Sequence, residues 1–114
     1  MDLQNLKQQI SHFVDERDWG QFHSPKNLAV GLSVEASEVL EIFQWQSCDE
    51  SKTLSEDKIA ELSDELSDVF FYLIRLSQHF DIDLEQALNN KLKKNIEKYP
   101  VSLVKGSPKK YTDY

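Results

Sequence analysis

The fold is decided by residues 61–76, ELSDELSDVFFYLIRL, which are acidic in their first half and almost wholly apolar in their second. No Gly or Pro interrupts them, so we expect one long helix. At about 100° per residue, the apolar side chains in and just before this stretch gather on one side, which we expect to face the core. They are Ile59, Leu62, Leu66, Val69, Phe70, Leu73 and Leu76.

A second stripe on the same helix carries Glu61, Glu65, Asp68 and Tyr72. By the same projection it is only about 60° wide, and it borders the apolar side. A solvated acidic face would instead lie opposite the core. Two carboxylates about 5 Å apart repel each other by roughly 3 kcal/mol at an effective dielectric constant of about 20. A divalent cation with oxygen ligands is the simplest group that would offset this repulsion.

The composition is that of one globular domain. The 114 residues are 39% hydrophobic and 29% charged, and we expect a helical domain over residues 1–100 followed by an irregular basic tail over 101–114. We expect no membrane partner, since no apolar run reaches the length of a span, and no secretory signal. A single cysteine, Cys48, suits the reducing cytoplasm, where we expect the protein.

The net charge of −7 is unevenly distributed. Residues 1–90 hold 6 basic and 18 acidic side chains, a net −12, whereas residues 91–114 hold 7 lysines and 2 acids, a net +5. The acidic body argues against a nucleic-acid partner. The basic end would suit a small phosphate ligand or an acidic neighbouring subunit.

Local signals predict four helices. Ser24 followed by Pro25 is typical of an N-cap and first helical position, Thr53–Glu56 of a capping box, and Asp83 of a further N-cap. We expect the first helix over residues 2 to about 17 and the second over 25–45. We expect the third to open at the Thr53–Glu56 capping box and continue to about Phe80, and the fourth to run from the Asp83 cap to about Lys98. The fold class is therefore all-α, a four-helix-bundle-type subunit. The apolar face of the first helix indicates that subunits share a core, so we expect a homo-oligomer.

The second helix repeats the pattern of the third. Beside a core stripe of Leu28, Leu32, Ala36, Val39 and Phe43 lies a stripe of Gly31, Glu35, Glu38, Ile42 and Trp45. In each helix two acids three residues apart are followed by an aromatic. If the helices are antiparallel, four carboxylates can surround one ion. Oxygen ligands favour Mg²⁺ or Mn²⁺ over zinc. The alternative is that these acids form a wet helix face.

Several other residues are candidates for a nucleotide site. Trp45 and Tyr72 would offer a base a stacking surface, and His23 lies in an unusually aromatic loop that begins at Trp19. Lys91 and Asn95, one helical turn apart, would suit a phosphate and a polar sugar or base edge. Packing or solvation explains each of these equally simply. No P-loop, dinucleotide fingerprint, di-iron motif or EF-hand loop occurs.

Taken together, the motifs resemble the MazG-like all-α nucleotide pyrophosphohydrolases, and more closely their short dCTP pyrophosphatase branch. The likeness runs over about residues 10–112. The matching segments are W-x-Q-F-H-x-P-[KR]-N-L (Trp19–Leu28), V-E-x-x-E-x-x-E-x-F-Q-W (Val34–Trp45), E-L-S-D-V (Glu65–Val69), N-x-x-x-Y-P (Asn95–Pro100) and K-Y-T (Lys110–Thr112).

The resemblance implies a tetrameric helical enzyme that cleaves a nucleoside triphosphate to the monophosphate and pyrophosphate, with dCTP or a related deoxynucleotide expected. It implies Mg²⁺ binding by Glu35, Glu38, Glu65 and Asp68. It also implies nucleotide contacts from Trp19, His23, Trp45, Tyr72, Lys91 and Asn95. One departure is that Ser37 replaces the family's usual glycine between the first two acids, and arginines common near Asn95 are lysines here.

Water is the expected nucleophile, because no activated side-chain nucleophile is evident. Glu38 or Glu41 would accept its proton, and the sequence does not choose between them. Two alternatives share the same acidic residues. One is a non-catalytic helical scaffold or regulatory module with a structural cation, and the other is hydrolysis of a different phosphoanhydride.

Overall fold

The structure is a computed structural model that describes residues 1–108. Every regular element in this part of the chain is helical, which confirms the all-α prediction. The elements are α1 (Leu3–Glu16), α2 (Pro25–Phe43), α3 (Glu56–His79), α4 (Leu84–Lys98) and the single turn α5 (Val101–Val104), with short 3₁₀ turns at Trp19–Phe22 and Glu50–Lys52. Across residues 1–108, no helix combines the length and apolar character that a membrane crossing requires.

Each long helix begins at a side-chain cap. Asp2, Ser24, Ser55 and Asp83 each accept a hydrogen bond from the backbone N–H three residues later, at 3.0–3.2 Å. Such a cap stabilises a helix by about 1 kcal/mol. The predictions for Ser24 and Asp83 are confirmed. The capping box at Thr53 is wrong, because Thr53 ends the preceding 3₁₀ turn in an extended conformation and Ser55 supplies the cap.

Two helix ends differ from the prediction. The second helix stops at Phe43, whose carbonyl accepts a bond from Gln46 N–H at 2.9 Å, so Trp45 lies in a turn beyond the helix. The segment after Pro100, predicted to be irregular, contains one helical turn. Pro100 starts it, because its carbonyl accepts the N–H groups of Leu103 and Val104. The predicted K-Y-T match at residues 110–112 lies outside the described residues.

The chain divides into two compact units, Met1–Phe80 and Asp81–Tyr114. The first contains α1, α2 and α3, and its main internal packing is between α2 and α3. The second contains α4 and α5. The predicted single domain over residues 1–100 stays a prediction.

The core of the first unit is small. Val14, Leu28 and Ile74 are fully buried, and Ile42 is 7% exposed. Leu28 was expected there, whereas Ile42 was assigned to the neighbouring stripe and Ile74 to neither stripe.

The predicted core face of α3 is only partly confirmed within the single chain, where four of its seven members are half-buried: Leu62, Val69, Phe70 and Leu76. Ile59, Leu66 and Leu73 are 51%, 51% and 37% exposed. The side of α3 that packs on α2 is instead the stripe that carries Glu65 and Tyr72. An apolar stripe shows that a surface is to be covered, but it does not show which chain covers it.

Gly31 and Tyr72 set the register between α2 and α3. A Cβ atom on Gly31 would lie 2.5 Å from Tyr72 Cε1 and 2.7 Å from Cζ, so the tyrosine ring occupies the space that glycine leaves open. From the sequence, we expect another backbone or a ligand to approach this glycine. The structure shows that an aromatic side chain does so, and the ring also packs edge-on against Phe71 at 5.4 Å.

Candidate functional site

The antiparallel register brings the acidic pairs of α2 and α3 together. In antiparallel helices, residues at equal distances in sequence from the Gly31–Tyr72 contact are neighbours. Four residues from that contact, Glu35 on α2 is therefore paired with Asp68 on α3. A step of seven, about two turns, pairs Glu38 with Glu65. The distances agree, since ligand oxygens of Glu35, Glu38 and Glu65 all lie within 4.8 Å of one another. The predicted convergence of the two acidic motifs is therefore present for three carboxylates.

Two oxygens in this cluster have no protein partner. Glu35 Oε2 and Glu65 Oε2 are both shielded from solvent, and neither accepts a hydrogen bond within the described residues. A buried carboxylate oxygen without a donor is unfavourable unless a proton or a cation compensates its charge. No lysine or arginine in residues 1–108 forms an ion pair with Glu35, Glu38 or Glu65.

Proton affinity in the cluster is correspondingly high. A hydrogen bond with the Glu38 carboxyl, burial and the charges of neighbouring acids raise the pKa of Glu65 to about 7. Burial, followed by the hydrogen bond and charge of Glu38, raises the pKa of Glu35. These groups therefore hold protons at a pH where isolated glutamates would be ionised. Oxygen-only donors, shielded and short of positive charge, fit a hard divalent cation.

The other predicted acids lie at the edge of the cluster. Asp68 is exposed and is not one of the three mutually close residues, but its charge contributes to the raised pKa of both Glu35 and Glu65. Glu41 is exposed one turn after Glu38 on α2. Glu61, at the start of the acidic stripe, forms a 3.0 Å ion pair with Lys58.

The aromatic residues predicted to contact the nucleotide lie at separate places in the first unit. Trp45 is 89% exposed in the turn after α2, and Trp19, 42% exposed, packs edge-on against Phe13 at 5.5 Å. Tyr72 is half-buried between Gly31 and Phe71. Trp45 therefore presents a free ring surface to solvent in the single chain, whereas much of the Tyr72 ring is already packed.

A cavity of about 190 Å³ lies farther along the α2–α3 contact. It is lined by His23, Leu28, Arg75, Gln78 and His79. Leu28 and Arg75 are each three residues from the Gly31–Tyr72 contact, on the side away from the carboxylates. The sequence predicts His23 as a site residue, but it does not identify Arg75 or Gln78. Arg75 could have been identified from the sequence, because it is the single charged residue in the apolar half of α3.

Lys91 and Asn95 belong to the second unit. Both lie on α4, one turn apart as predicted, with Lys91 exposed and Asn95 half-buried. The Asn95 carbonyl accepts a 2.8 Å hydrogen bond from the backbone N–H of Tyr99.

Comparison with known proteins gives relatives over almost the whole chain. Mouse dCTP pyrophosphatase 1 is 42% identical over 113 residues, which cover 97% of this chain and 66% of the mouse protein. The human protein of the same name is 38% identical over 113 residues, with the same shares. This chain thus spans 66% of the length of either relative.

A solved structure, a pyrophosphatase from Archaeoglobus fulgidus, is 40% identical with a TM-score of 0.82. The match covers 88% of this chain and 94% of that one. The model of the MazG-like family matches residues 30–114, which include most of α2, all of α3 and hence the three clustered carboxylates. The chain therefore belongs to the MazG-like family.

Proposed function

We propose that this chain hydrolyses a nucleoside triphosphate to the monophosphate and pyrophosphate with a divalent cation, Mg²⁺ or alternatively Mn²⁺. The observation that carries the proposal is the group of three carboxylates between α2 and α3, with two shielded oxygens that lack any partner among the described residues. The names of the mouse and human relatives support dCTP as the preferred substrate.

Glu35, Glu38 and Glu65 would hold the cation, and Asp68, opposite Glu35 in the helix register, would complete the set. A bound divalent cation offsets phosphate charge and makes a water molecule easier to deprotonate. The protein contributes rigid placement, because all four carboxylates are on two helices whose register is set by a single close contact. Positioning of this kind accounts for much of the catalysis of phosphoryl transfer.

A carboxylate must also accept the proton of the attacking water. Glu38 lies within the cluster, close to Glu35 and Glu65. Glu41 is exposed one turn away and makes no hydrogen bond or ion pair within residues 1–108. Glutamine variants of Glu38 and Glu41 distinguish cation binding from proton acceptance. Glu38→Gln should reduce both cation binding and turnover, whereas Glu41→Gln should reduce turnover alone if Glu41 is the base.

The nucleotide contacts are assigned by chemistry. Trp45, with its exposed ring, would stack on the base, and stacking tolerates any base. Tyr72 would contact the nucleotide through the part of its ring that is not packed against Gly31 and Phe71, and the family resemblance adds Trp19. Selectivity must come from polar groups that the wrong base leaves unpaired. His23 is the candidate in the first unit, and the family resemblance adds Asn95 on α4 as a separate candidate. Lys91, as a point charge, would bind a phosphate.

We further propose that the protein is a cytoplasmic homo-oligomer, a tetramer as its family resemblance implies. The exposed apolar residues Ile59, Leu66 and Leu73 on α3 support assembly, because burying each would contribute about 1.5–3 kcal/mol. Light scattering at micromolar concentration should give a multiple of the 13.3 kDa chain mass. A stable monomer would contradict the assembly proposal. The exposed, unpaired Cys48 agrees with a reducing compartment.

The function is tested with a panel of ribo- and deoxynucleoside triphosphates and Mg²⁺, scoring pyrophosphate against orthophosphate. We expect pyrophosphate, released fastest from dCTP, and loss of turnover in Asp68→Asn with unchanged helical content. Asp64→Asn is the matched control, since Asp64 lies one turn away on the same helix and is exposed. If no nucleotide is cleaved while Mg²⁺ raises the melting temperature, the chain is instead a helical module with a structural cation.

A further inference from the structure

A chain of side-chain hydrogen bonds connects three parts of the first unit. Arg75 on α3 donates from Nε to His23 Nδ1 at 3.2 Å and from Nη1 to Gln78 Oε1 at 3.1 Å. Gln78 Nε2 donates in turn to the Lys7 carbonyl at 3.3 Å and to Ser11 Oγ at 3.1 Å, both on α1. The guanidinium is therefore held from two sides.

This arrangement defines the protonation of His23. A guanidinium has only donors and stays charged, so the nitrogen facing it must be an acceptor. His23 Nδ1 is therefore unprotonated, and the single proton of the neutral imidazole is on Nε2. Burial, followed by the positive charge of Arg75, lowers the pKa of His23 and so favours the same neutral form.

The role of Arg75 is not ordinary ion pairing. It is half-buried, and no carboxylate within residues 1–108 pairs with it. Its hydrogen-bond partners in residues 1–108 are an imidazole and an amide. Arg75 can orient both groups, but neither neutralises its charge.

The position of the network relates it to the carboxylates. Arg75, Gln78 and His23 line the 190 Å³ cavity. Arg75 follows Asp68 by seven residues on α3, about 10 Å along the helix axis. That separation is on the scale of a nucleotide, whose phosphates would lie at the carboxylates and whose sugar and base would lie farther along the same helix pair.

We propose that Arg75 is a positioning residue that holds His23 as a neutral imidazole and so presents its Nε2–H to a hydrogen-bond acceptor on the sugar or base of the nucleotide. The inference rests on the proposed function for the identity of the ligand. A donor at this point favours a base that offers an acceptor there, and cytosine offers two, O2 and N3. His23 therefore recognises the substrate and does not act as the general base for the attacking water.

The first test is independent of substrate. In the ¹⁵N-histidine protein at pH 7, long-range ¹H–¹⁵N spectra should show His23 protonated at Nε2 and unprotonated at Nδ1, with assignment from His12→Gln and His79→Gln. Arg75→Leu should give a mixture of tautomers. Arg75→Gln, which retains an N–H donor without the charge, should restore the single form. A proton on Nδ1 in the wild-type protein would overturn the proposal even if Arg75→Leu failed to fold.

The second test measures binding without turnover. With Mg²⁺ and the non-hydrolysable α,β-imido analogue of dCTP, calorimetry should show Kd raised about three- to tenfold by His23→Ala, the loss of one hydrogen bond. Arg75→Leu should raise Kd similarly, the double variant should be no weaker than either single one, and Arg75→Gln should recover most of the affinity. Lys52→Leu, which removes a positive charge from an exposed loop position, is the control.

Different results would refute the positioning role of Arg75 and the proposed function. If dCTP is cleaved normally but His23→Ala and Arg75→Leu bind the analogue as the wild type does, the positioning role is wrong and the proposed function stands. If the two variants weaken binding in a non-additive way while dCTP is not cleaved, the positioning role stands and the proposed function is wrong. Additive losses in the double variant would also overturn the positioning role.

Discussion

Gly31→Ala tests the contact that sets the register of the candidate site. The new Cβ would lie 2.5, 2.7 and 2.8 Å from Cε1, Cζ and Cδ1 of Tyr72. Carbon atoms at optimal separation are about 3.5–4.0 Å apart, so either the ring or the helix must move by roughly 1 Å. The ring is also packed edge-on against Phe71, which limits the directions in which it can move.

Two opposing terms determine the size of the effect. Overpacking of this kind typically costs about 1–3 kcal/mol, whereas alanine in a helix interior is favoured over glycine by up to about 1 kcal/mol. We therefore expect Gly31→Ala to reduce the free energy of unfolding by about 1–2 kcal/mol. For a chain of this size the melting temperature should fall by about 4–8 °C per kcal/mol.

The assay is urea or thermal unfolding at one fixed protein concentration, in wild-type and Tyr72→Ala backgrounds. Removing the ring removes the clash, so Gly31→Ala should stabilise the Tyr72→Ala protein by up to about 1 kcal/mol. Gly20→Ala is the control, because no heavy atom lies within 4 Å of its would-be Cβ. If Gly31→Ala has the same effect in both backgrounds, the Gly31–Tyr72 contact does not set the register.

The remaining predictions concern charge and selectivity. Without divalent cations, the free energy of unfolding should fall as the pH rises from about 4.5 through about 7, since Glu35 and Glu65 hold their protons more tightly in the folded chain. Glu65→Gln should flatten this slope between pH 5 and pH 8 in urea unfolding with EDTA, and an unchanged slope would count against the cluster. Trp45→Ala should raise KM by a similar factor for dCTP, dTTP and dATP. Asn95→Ala should instead narrow the difference in kcat/KM between the preferred and the poor substrates. Equal slowing of all three by Asn95→Ala would make Asn95 a general positioning residue.

Much of the fold follows from local signals. Periodicity and capping predict the four long helices because both depend on residues three or four apart, and Ser24 and Asp83 act as caps where expected. The convergence of Glu35, Glu38 and Glu65 follows once α2 and α3 are taken as antiparallel neighbours.

What could not be predicted depends on distant partners. The hydrogen bond between Arg75 and His23 joins residues 52 apart in sequence, and it requires the helix register, which local patterns do not specify. The core face of α3 was only partly predicted for a related reason. Leu66 has the periodicity of a core residue, yet it is 51% exposed in the single chain, because periodicity does not show what covers a residue.

The central claim is that water attacks the α-phosphorus of a nucleoside triphosphate at the carboxylates between α2 and α3. Hydrolysis of dCTP with Mg²⁺ in H₂¹⁸O, followed by mass spectrometry of both products, tests it directly. We expect one ¹⁸O atom in dCMP and none in pyrophosphate. Label in pyrophosphate would place the attack at the β-phosphorus, and labelled orthophosphate would place it at the γ-phosphorus. Either result would refute attack at the α-phosphorus.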